Sequence, residues 1–311
     1  MAKVCPLFSG SSGNSYYIGT GEHGILVDAG RTAKQMEGAL SANDINISSV
    51  RAIFVTHEHT DHVKGLRVLA SRHHIKVYSS MGTLEALNDM QILSGKFPCD
   101  VISENGIQEA GMEIRPFHTS HDSAESVGYR ISLPNGRVVV VATDLGFVSE
   151  EVRSALAGCD VAVMESNHDV GMLQSGGYPY YLKRRILSPQ GHLSNSACAQ
   201  ELPDLVRQGT TRILLAHLSR ENNIPQLAYQ TALCSLLEQG MKAGEDFLLQ
   251  VSPVAVSYTH LLAVVLVLIL IVAHDFTPFC SYYDPGIKFL YKGERMMERL
   301  PKEFLSVMEP L

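Results

Sequence analysis

Short β-rich runs recur from residue 4 to about residue 251, each separated from the next by a stretch of helical composition. That alternation points to layered α/β architecture. The expected strands are 15–18, 24–27, 52–56, 76–79, 113–118, 126–133, 137–142, 161–165, 212–216 and 246–251. Two of them, 126–133 and 137–142, are joined by Pro134-Asn135-Gly136, turn-favouring residues that predict an antiparallel hairpin. A hairpin here argues against a purely parallel, doubly wound sheet. Helix starts are marked by Ser149 before Glu150-Glu151 and by Ser194-Asn195-Ser196 before the run reaching Val206, and a further helix is expected over 225–240.

The run 52–56 leads straight into His57-Glu58-His59-Thr60-Asp61-His62. In a turn after a strand alternate residues can face one side, so His57 and His59 can clamp one ion while Asp61 and His62 reach a second. Imidazole with carboxylate suits Zn, Mn or Fe, and a site with too few protein ligands to close it leaves room for water. A solvated loop is the plainer account of such a run, but it explains poorly three histidines and two acids in six residues. More candidates stand where other expected strands meet loops: His118 and His121, Asp144, and His217. Singly each reads as a structural or surface residue; taken together they suggest one converging site.

The balance of 25 Lys+Arg against 32 Asp+Glu gives a net charge of −7. No global basic field gathers polyanions, and any nucleic acid must be held locally. The densest basic cluster is Lys183-Arg184-Arg185, with Tyr178, Tyr180 and Tyr181 just before it. It suits a phosphate backbone and stacked bases, or equally a solvated helix face. Six cysteines lie far apart with no Cys-x-x-Cys pair, and the N-terminus has no apolar signal core, so a cytoplasmic location is expected. The apolar run 261–273 would cover about 20 Å as a helix, against about 30 Å of hydrocarbon. It is short for a membrane span, and no membrane partner is expected.

His57-x-His59-x-Asp61-His62, Asp144 in Ala142-Thr143-Asp144, and His217 resemble the ordered metal motifs of the metallo-β-lactamase superfamily, and Asp28 in Leu26-Val27-Asp28-Ala29-Gly30 is similar to its first motif. His121-Asp122-Ser123-Ala124-Glu125-Ser126-Val127-Gly128 is similar to the third-histidine segment of its nucleases. The resemblance implies a four-layer αβ/βα metallo-β-lactamase sandwich and two divalent transition metal ions. It implies His57, His59 and His121 on the first metal, Asp61, His62 and His217 on the second, and Asp144 bridging them. Asp28 then acts from behind by fixing a ligand or loop, and His118 is left as a structural or supporting residue.

More narrowly, Ser9-Gly10-Ser11-Ser12-Gly13-Asn14-Ser15, the run Thr56 to His62, Glu165-Ser166-Asn167-His168-Asp169, Gly191-His192-Leu193-Ser194-Asn195, and Ala216-His217-Leu218-Ser219-Arg220-Glu221-Asn222-Asn223 together resemble the WalJ family, also called YycJ or VicX. The resemblance covers about residues 4 to 251. It implies a 5′-to-3′ exonuclease on double-stranded DNA, in bacteria carrying an essential cell-wall two-component system. Two metal ions can share a hydroxide that forms at neutral pH, with Asp61 orienting it. His192 is the candidate proton donor, because its segment resembles a histidine motif of ribonuclease Z-like enzymes; the alternative is a helix-capping loop in which it merely packs. Ser11 and Asn14 in the glycine-rich loop, His168, Lys183, Arg184 and Arg185 are candidate substrate contacts, although the loop also fits a tight connection and Asn167-His168 an ordinary polar turn.

The resemblance fades at Val251. Ser257-Tyr258-Thr259-His260-Leu261 resembles a translated sequencing adapter, so residues 1–256 are expected to form the hydrolase domain and 257–311 a non-family tail, chimeric or artefactual. A membrane anchor is the competing account of that tail. Two rival functions remain: a small-molecule hydrolase of phosphodiesters or thioesters on the same fold, and a non-catalytic metal-binding regulatory partner of the two-component system. The absence of a long insertion resembling a β-CASP cap or a tRNA-gripping arm argues against those RNA enzymes.

Overall fold

The strand Gly24–Val27 is buried along its whole length, as expected where both faces of a sheet are covered. Ile25 and Val27 point one way and Leu26 the other, because side chains alternate along a strand. The computed structural model describes residues 3–20, 22–94 and 97–254. They belong to one compact unit, Met1–Ser257, and the tail expected from residue 257 onward, with its apolar run 261–273, lies outside the described residues.

Two sheets stack face to face. In chain order the first contains β1 (Lys3–Phe8), β2 (Ser15–Gly19), β3 (Gly24–Val27), β4 (Val50–Phe54), β5 (Lys76–Ser79) and β6 (Cys99–Val101), and its spatial order is the same. β1 to β3 are antiparallel, and β3 to β6 run parallel. The second sheet contains β7 (Ile107–Glu109), β8 (Met112–His118), β9 (Val127–Ser132), β10 (Val138–Ala142), β11 (Val161–Glu165), β12 (Arg212–Ala216) and β13 (Leu248–Val251) in consecutive order. It is antiparallel from β7 to β10 and parallel from β10 to β13. The hairpin expected at Pro134-Asn135-Gly136 joins β9 to β10.

Three apolar layers follow from the alternation. Between the sheets Ile25, Val27, Ala52 and Phe54 meet Ile114, Tyr129, Val139 and Val141. Outside the first sheet Leu26, Ile53 and Val55 pack with Met36 and Leu40 of α1 (Ala33–Ala42) and Leu66 and Leu69 of α3 (Leu66–His73); α2 (Thr60–Val63) precedes α3 and α4 (Met81–Asp89) follows it. Outside the second sheet Val140 and Ala142 pack with Val152 and Leu156 of α5 (Glu150–Leu156), Leu202 of α8 (Asn195–Arg207) and Leu236 of α9 (Pro225–Glu238). Each of the larger side chains, Val, Leu, Ile, Met and Phe, contributes about 1.5–3 kcal/mol over leaving it in water, and the result is the four-layer αβ/βα sandwich. Ser149 and Ser194 accept hydrogen bonds from the third residue of their helices, as their positions predict, and Pro225 opens α9 where a missing N–H costs nothing.

Three strands fall outside the sequence expectations: β1, β6 and β7. All lie at a sheet edge. β1 carries Pro6, and the other two are three residues long, so none presents the uninterrupted apolar run that marks interior strands such as β3 and β10. Among the described residues no helix is long and apolar enough to cross a membrane.

Candidate metal centre

The strands deliver polar residues to one rim. β3 is followed by Asp28, β4 leads to His57, β8 leads to His121, β10 leads to Asp144, β11 ends on Glu165, and β12 is followed by His217. His59 stands immediately before α2, whose first turn holds Asp61 and His62. Asp28, Asp144 and His217 adopt left-handed backbone, with φ of +64°, +59° and +55°. That conformation costs a non-glycine residue about 1–2 kcal/mol, and its recurrence at three strand ends marks a rim shaped by its side chains rather than by local preference.

The ligand-type atoms converge. His57, His59 and His121 form one group, Asp61, His62 and His217 a second, and His57, His62 and Asp144 a third, the atoms of each lying within 4.8 Å of one another. Asp144 sits between the first two, its carboxylate 3.4 Å from His62 Nε2, 3.8 Å from His121 Nε2 and 3.1 Å from His217 Nδ1. Asp28 lies behind them, fully buried: its carboxylate accepts from Thr56 N at 2.8 Å and from the Thr56 hydroxyl at 2.9 Å, and lies 2.7 Å from His62 Nδ1. His121 is fixed in turn by the Gly191 carbonyl, 3.0 Å from its Nδ1.

The electrostatics suit divalent cations. Burial and the surrounding His62, His121, His59 and His217 push His57 well below the usual imidazole range, so it is neutral and a lone-pair donor. Its Nε2 and Asp144 Oδ2 are both buried without a hydrogen-bond partner, a costly arrangement unless something else engages them. Burial opposes charge on His62, yet Asp144, Asp28 and Asp61 raise it to about 9. Burial likewise opposes charge on His217, but Asp144, Asp61 and Glu165 hold it well above the usual range. Protons on two imidazoles thus balance the clustered carboxylates, and a cation bound among these ligands would take over that balancing charge.

Glu165 is the functional residue that sequence reasoning did not single out. It is fully buried, and Oε1 lies 2.8 Å from His192 Nδ1 and 2.9 Å from His217 Nδ1, while Oε2 accepts from the backbone N–H groups of Leu145 and Leu193. Burial opposes its charge, but His192 and His217 keep it ionised far below the ordinary carboxylate range. The available signal was a carboxylate closing the otherwise apolar run Val161–Glu165.

A cleft of about 220 Å³ opens over the centre, lined by Ser11, His59, Asp61, Asp144, Asn167, Tyr178, Leu182, Arg185, Ile186, His192, His217 and Ser219. The expected substrate contacts divide accordingly. Ser11 and Arg185 reach the cleft. Asn14 does not: it is fully buried, its amide nitrogen 3.1 Å from His62 Nε2 and 3.4 Å from Asp61 Oδ2, so it braces ligands. His168 is buried with no hydrogen bond to either ring nitrogen, burial lowers its pKa to about 4, and Asn167 is the residue that faces the cleft in its place. Lys183 spends its ammonium on the carbonyls of Gln174 and Gly176, 2.7 Å from each. Arg185 is paired with Asp122, leaving Arg184, which lies over the Tyr180 ring at 6.0 Å. His118 stands apart from the centre; its ring pairs with Glu151 at 3.2 Å and Glu125 at 3.7 Å on an exposed surface.

Fold and centre together define a metal-dependent hydrolase of the metallo-β-lactamase type, and residues 23–218 match the family model described as a beta-lactamase superfamily domain. The crystal structure of Zn(2+)-bound PqqB from Methylobacterium extorquens has the same fold, with a TM-score of 0.62 at 17% identity, covering 82% of this chain and 99% of that one. The chain belongs to the YycJ/WalJ family: it is 41% identical over 245 residues to Exodeoxyribonuclease YycJ of Bacillus anthracis, covering 78% of this chain and 91% of that relative. It is 37% identical over 252 residues to Exodeoxyribonuclease WalJ of Streptococcus pneumoniae, covering 79% and 92%.

Proposed function

We propose that the chain is a cytoplasmic phosphodiesterase that removes nucleotides from the 5′ end of double-stranded DNA with two divalent ions, Zn, Mn or Fe. The observation that carries this reading is Glu165 joining His192, at the wall of the cleft, to His217 inside the centre. The relatives named exodeoxyribonucleases supply the substrate class. His57, His59 and His121 would hold one ion and Asp61, His62 and His217 the other, with Asp144 between. When bound, such ions neutralise charge on a phosphodiester and make water acidic enough to attack at neutral pH.

The chain's own residues then do the rest. Asp61 is held ionised by His62 and His217 despite its burial, too weak a base to remove a proton outright but a strong acceptor for orienting the attacking water. His192 has Nδ1 committed to Glu165, so Nε2 is the nitrogen from which a proton passes to the departing oxygen as its bond to phosphorus breaks. Glu165 fixes the orientation of that ring. Cytoplasmic placement draws support from the cysteines, all free among the described residues.

The test offers the purified chain, loaded with Mn or Zn, four substrates: 5′-labelled duplex DNA, RNA, a chromogenic phosphodiester and nitrocefin. Stepwise loss from DNA 5′ ends, abolished by chelation, is the expected result. Hydrolysis of the small diester alone would establish the second reading, a small-molecule hydrolase, which the modest 220 Å³ cleft favours. Inertness towards all four would leave a metal-binding regulatory partner of the two-component system.

A further inference from the structure

The helix that walls the cleft, α7 (Tyr180–Ile186), turns two tyrosines to solvent. Tyr180 and Tyr181 are 76% and 74% exposed, the most of any large hydrophobic among the described residues. Large aromatic rings are seldom left in water without a use, and adjacent exposed rings rimmed by charge are typical of a recognition surface. Tyr180 is backed by Arg184 four residues on, the spacing that places side chains on one helix face. The other two cations of the cluster are engaged inside the molecule, so the free chemistry of this face is aromatic with a single positive charge.

The same helix is fixed to the metal centre. A Cβ on Gly191 would come within 2.2 Å of the Ile186 carbonyl oxygen and 2.4 Å of the Arg185 carbonyl oxygen, so the end of α7 is seated directly on that glycine. The Gly191 carbonyl holds His121, and Arg185 is paired with Asp122, the next residue. Lys183 ties the helix to the C-terminal end of α6 (Val170–Ser175), at the carbonyls of Gln174 and Gly176. Tyr178, Leu182, Arg185 and Ile186 line the cleft, so the exposed rings stand on the outer side of a helix whose cleft-facing side is fixed against the centre.

We propose that Tyr180 and Tyr181, with Arg184, form a platform on which a nucleobase near the DNA end stacks while the phosphodiester to be cut lies in the cleft. This deepens, and rests on, the nuclease reading above. With a net charge of −7 the molecule has no broad electrostatic attraction for DNA. Stacking provides affinity that tolerates any sequence, because every base has a π-face, and Arg184 adds one phosphate or cation–π contact. It also orients the end, which a diffuse basic patch does not.

The experiment compares the full chain, Mn-loaded, with the double variants Tyr180→Ala/Tyr181→Ala and Tyr180→Phe/Tyr181→Phe. Substrates are a 5′-phosphorylated duplex carrying 2-aminopurine at its 5′ end and bis(p-nitrophenyl) phosphate, a small diester with no nucleobase to stack. The Ala pair should raise KM for the duplex about tenfold or more, hold kcat within about twofold and abolish quenching of 2-aminopurine. The Phe pair should keep both quenching and KM, since it retains the rings. An unchanged duplex KM in the Ala pair overturns the proposal, and if sedimentation shows a dimer becoming monomer the face belongs instead to a second copy of the chain. Equal losses on duplex and small diester also overturn it, as those of a merely structural helix. Should the unaltered chain cleave the small diester and spare the duplex, the nuclease reading itself fails, and no variant is needed to see it.

Discussion

Asp28 Oδ2 lies 2.7 Å from His62 Nδ1, with both side chains wholly buried. The contact commits Nδ1 to the carboxylate and leaves Nε2 to face Asp61 and Asp144. Partners of this kind set the orientation and basicity of a metal-binding imidazole. Asp28→Ala should weaken metal binding about 10- to 100-fold, measured by competition with a chromogenic chelator. It should also destabilise the metal-free protein by about 3–5 kcal/mol, since it leaves buried partners uncompensated. Metal affinity unchanged within twofold would remove Asp28 from the centre.

His62 also sets a pH dependence. Its pKa in the metal-free fold is raised from 6.5 to about 9, because Asp144, Asp28 and Asp61 outweigh the cost of burial. The folded state therefore holds the proton more tightly than the unfolded chain. The stabilisation is complete below pH 6.5 and is lost as pH climbs through about 9. Thermal melts of the metal-free protein should show Tm falling across that window, with a shallower fall in His62→Gln; matching slopes would contradict the assignment.

Gly30 holds two segments of the centre in contact. A Cβ there would lie 1.8 Å from the Asp61 carbonyl oxygen and 2.5 Å from the Asn14 nitrogen, both backbone atoms that cannot swing aside. Gly30→Ala should cost about 1–3 kcal/mol or more in urea unfolding and displace α2 together with Asp61 and His62. A variant with native stability and full metal content would show that this approach is looser than described.

The basic triplet divides by role. Arg184→Gln should lower the slope of log K against log salt for duplex binding by about 0.9, the contribution of one phosphate contact. Lys183→Gln should leave that slope alone and lower Tm, because its ammonium ties two carbonyls at the C-terminal end of the preceding helix. A slope that responds to Lys183 and not to Arg184 would reverse the assignment.

Glu165 and His192 should separate in their effects. His192→Ala is expected to keep its metal, by elemental analysis, and to lose about 10²–10⁴ in turnover. Glu165→Gln should lose turnover and also bind metal less tightly, since His217 Nδ1 shares the same oxygen. Full turnover in His192→Ala would exclude it as proton donor.

Much of this was legible in the linear chain because it depends on local order. Short β-rich apolar runs marked β3, β4 and β10, serines before helices marked the caps of α5 and α8, and turn residues marked the β9–β10 hairpin. The edge strands β1, β6 and β7 were not, since short or proline-bearing segments owe their pairing to a neighbour rather than to their own pattern. The run from His57 to His62 announced a metal site because the chemistry is packed into consecutive positions. Only the folded chain could decide what each polar side chain spends its atoms on: that Asn14 braces ligands from within, that Lys183 is tied to carbonyls, that His168 is sealed off, and that Glu165 joins His192 to His217. Asn14 and Glu165 meet partners 27 to 52 positions away, Lys183 meets carbonyls seven and nine positions back across a turn, and the energy of a buried charge is fixed by the partners the fold brings to it rather than by its neighbours in sequence.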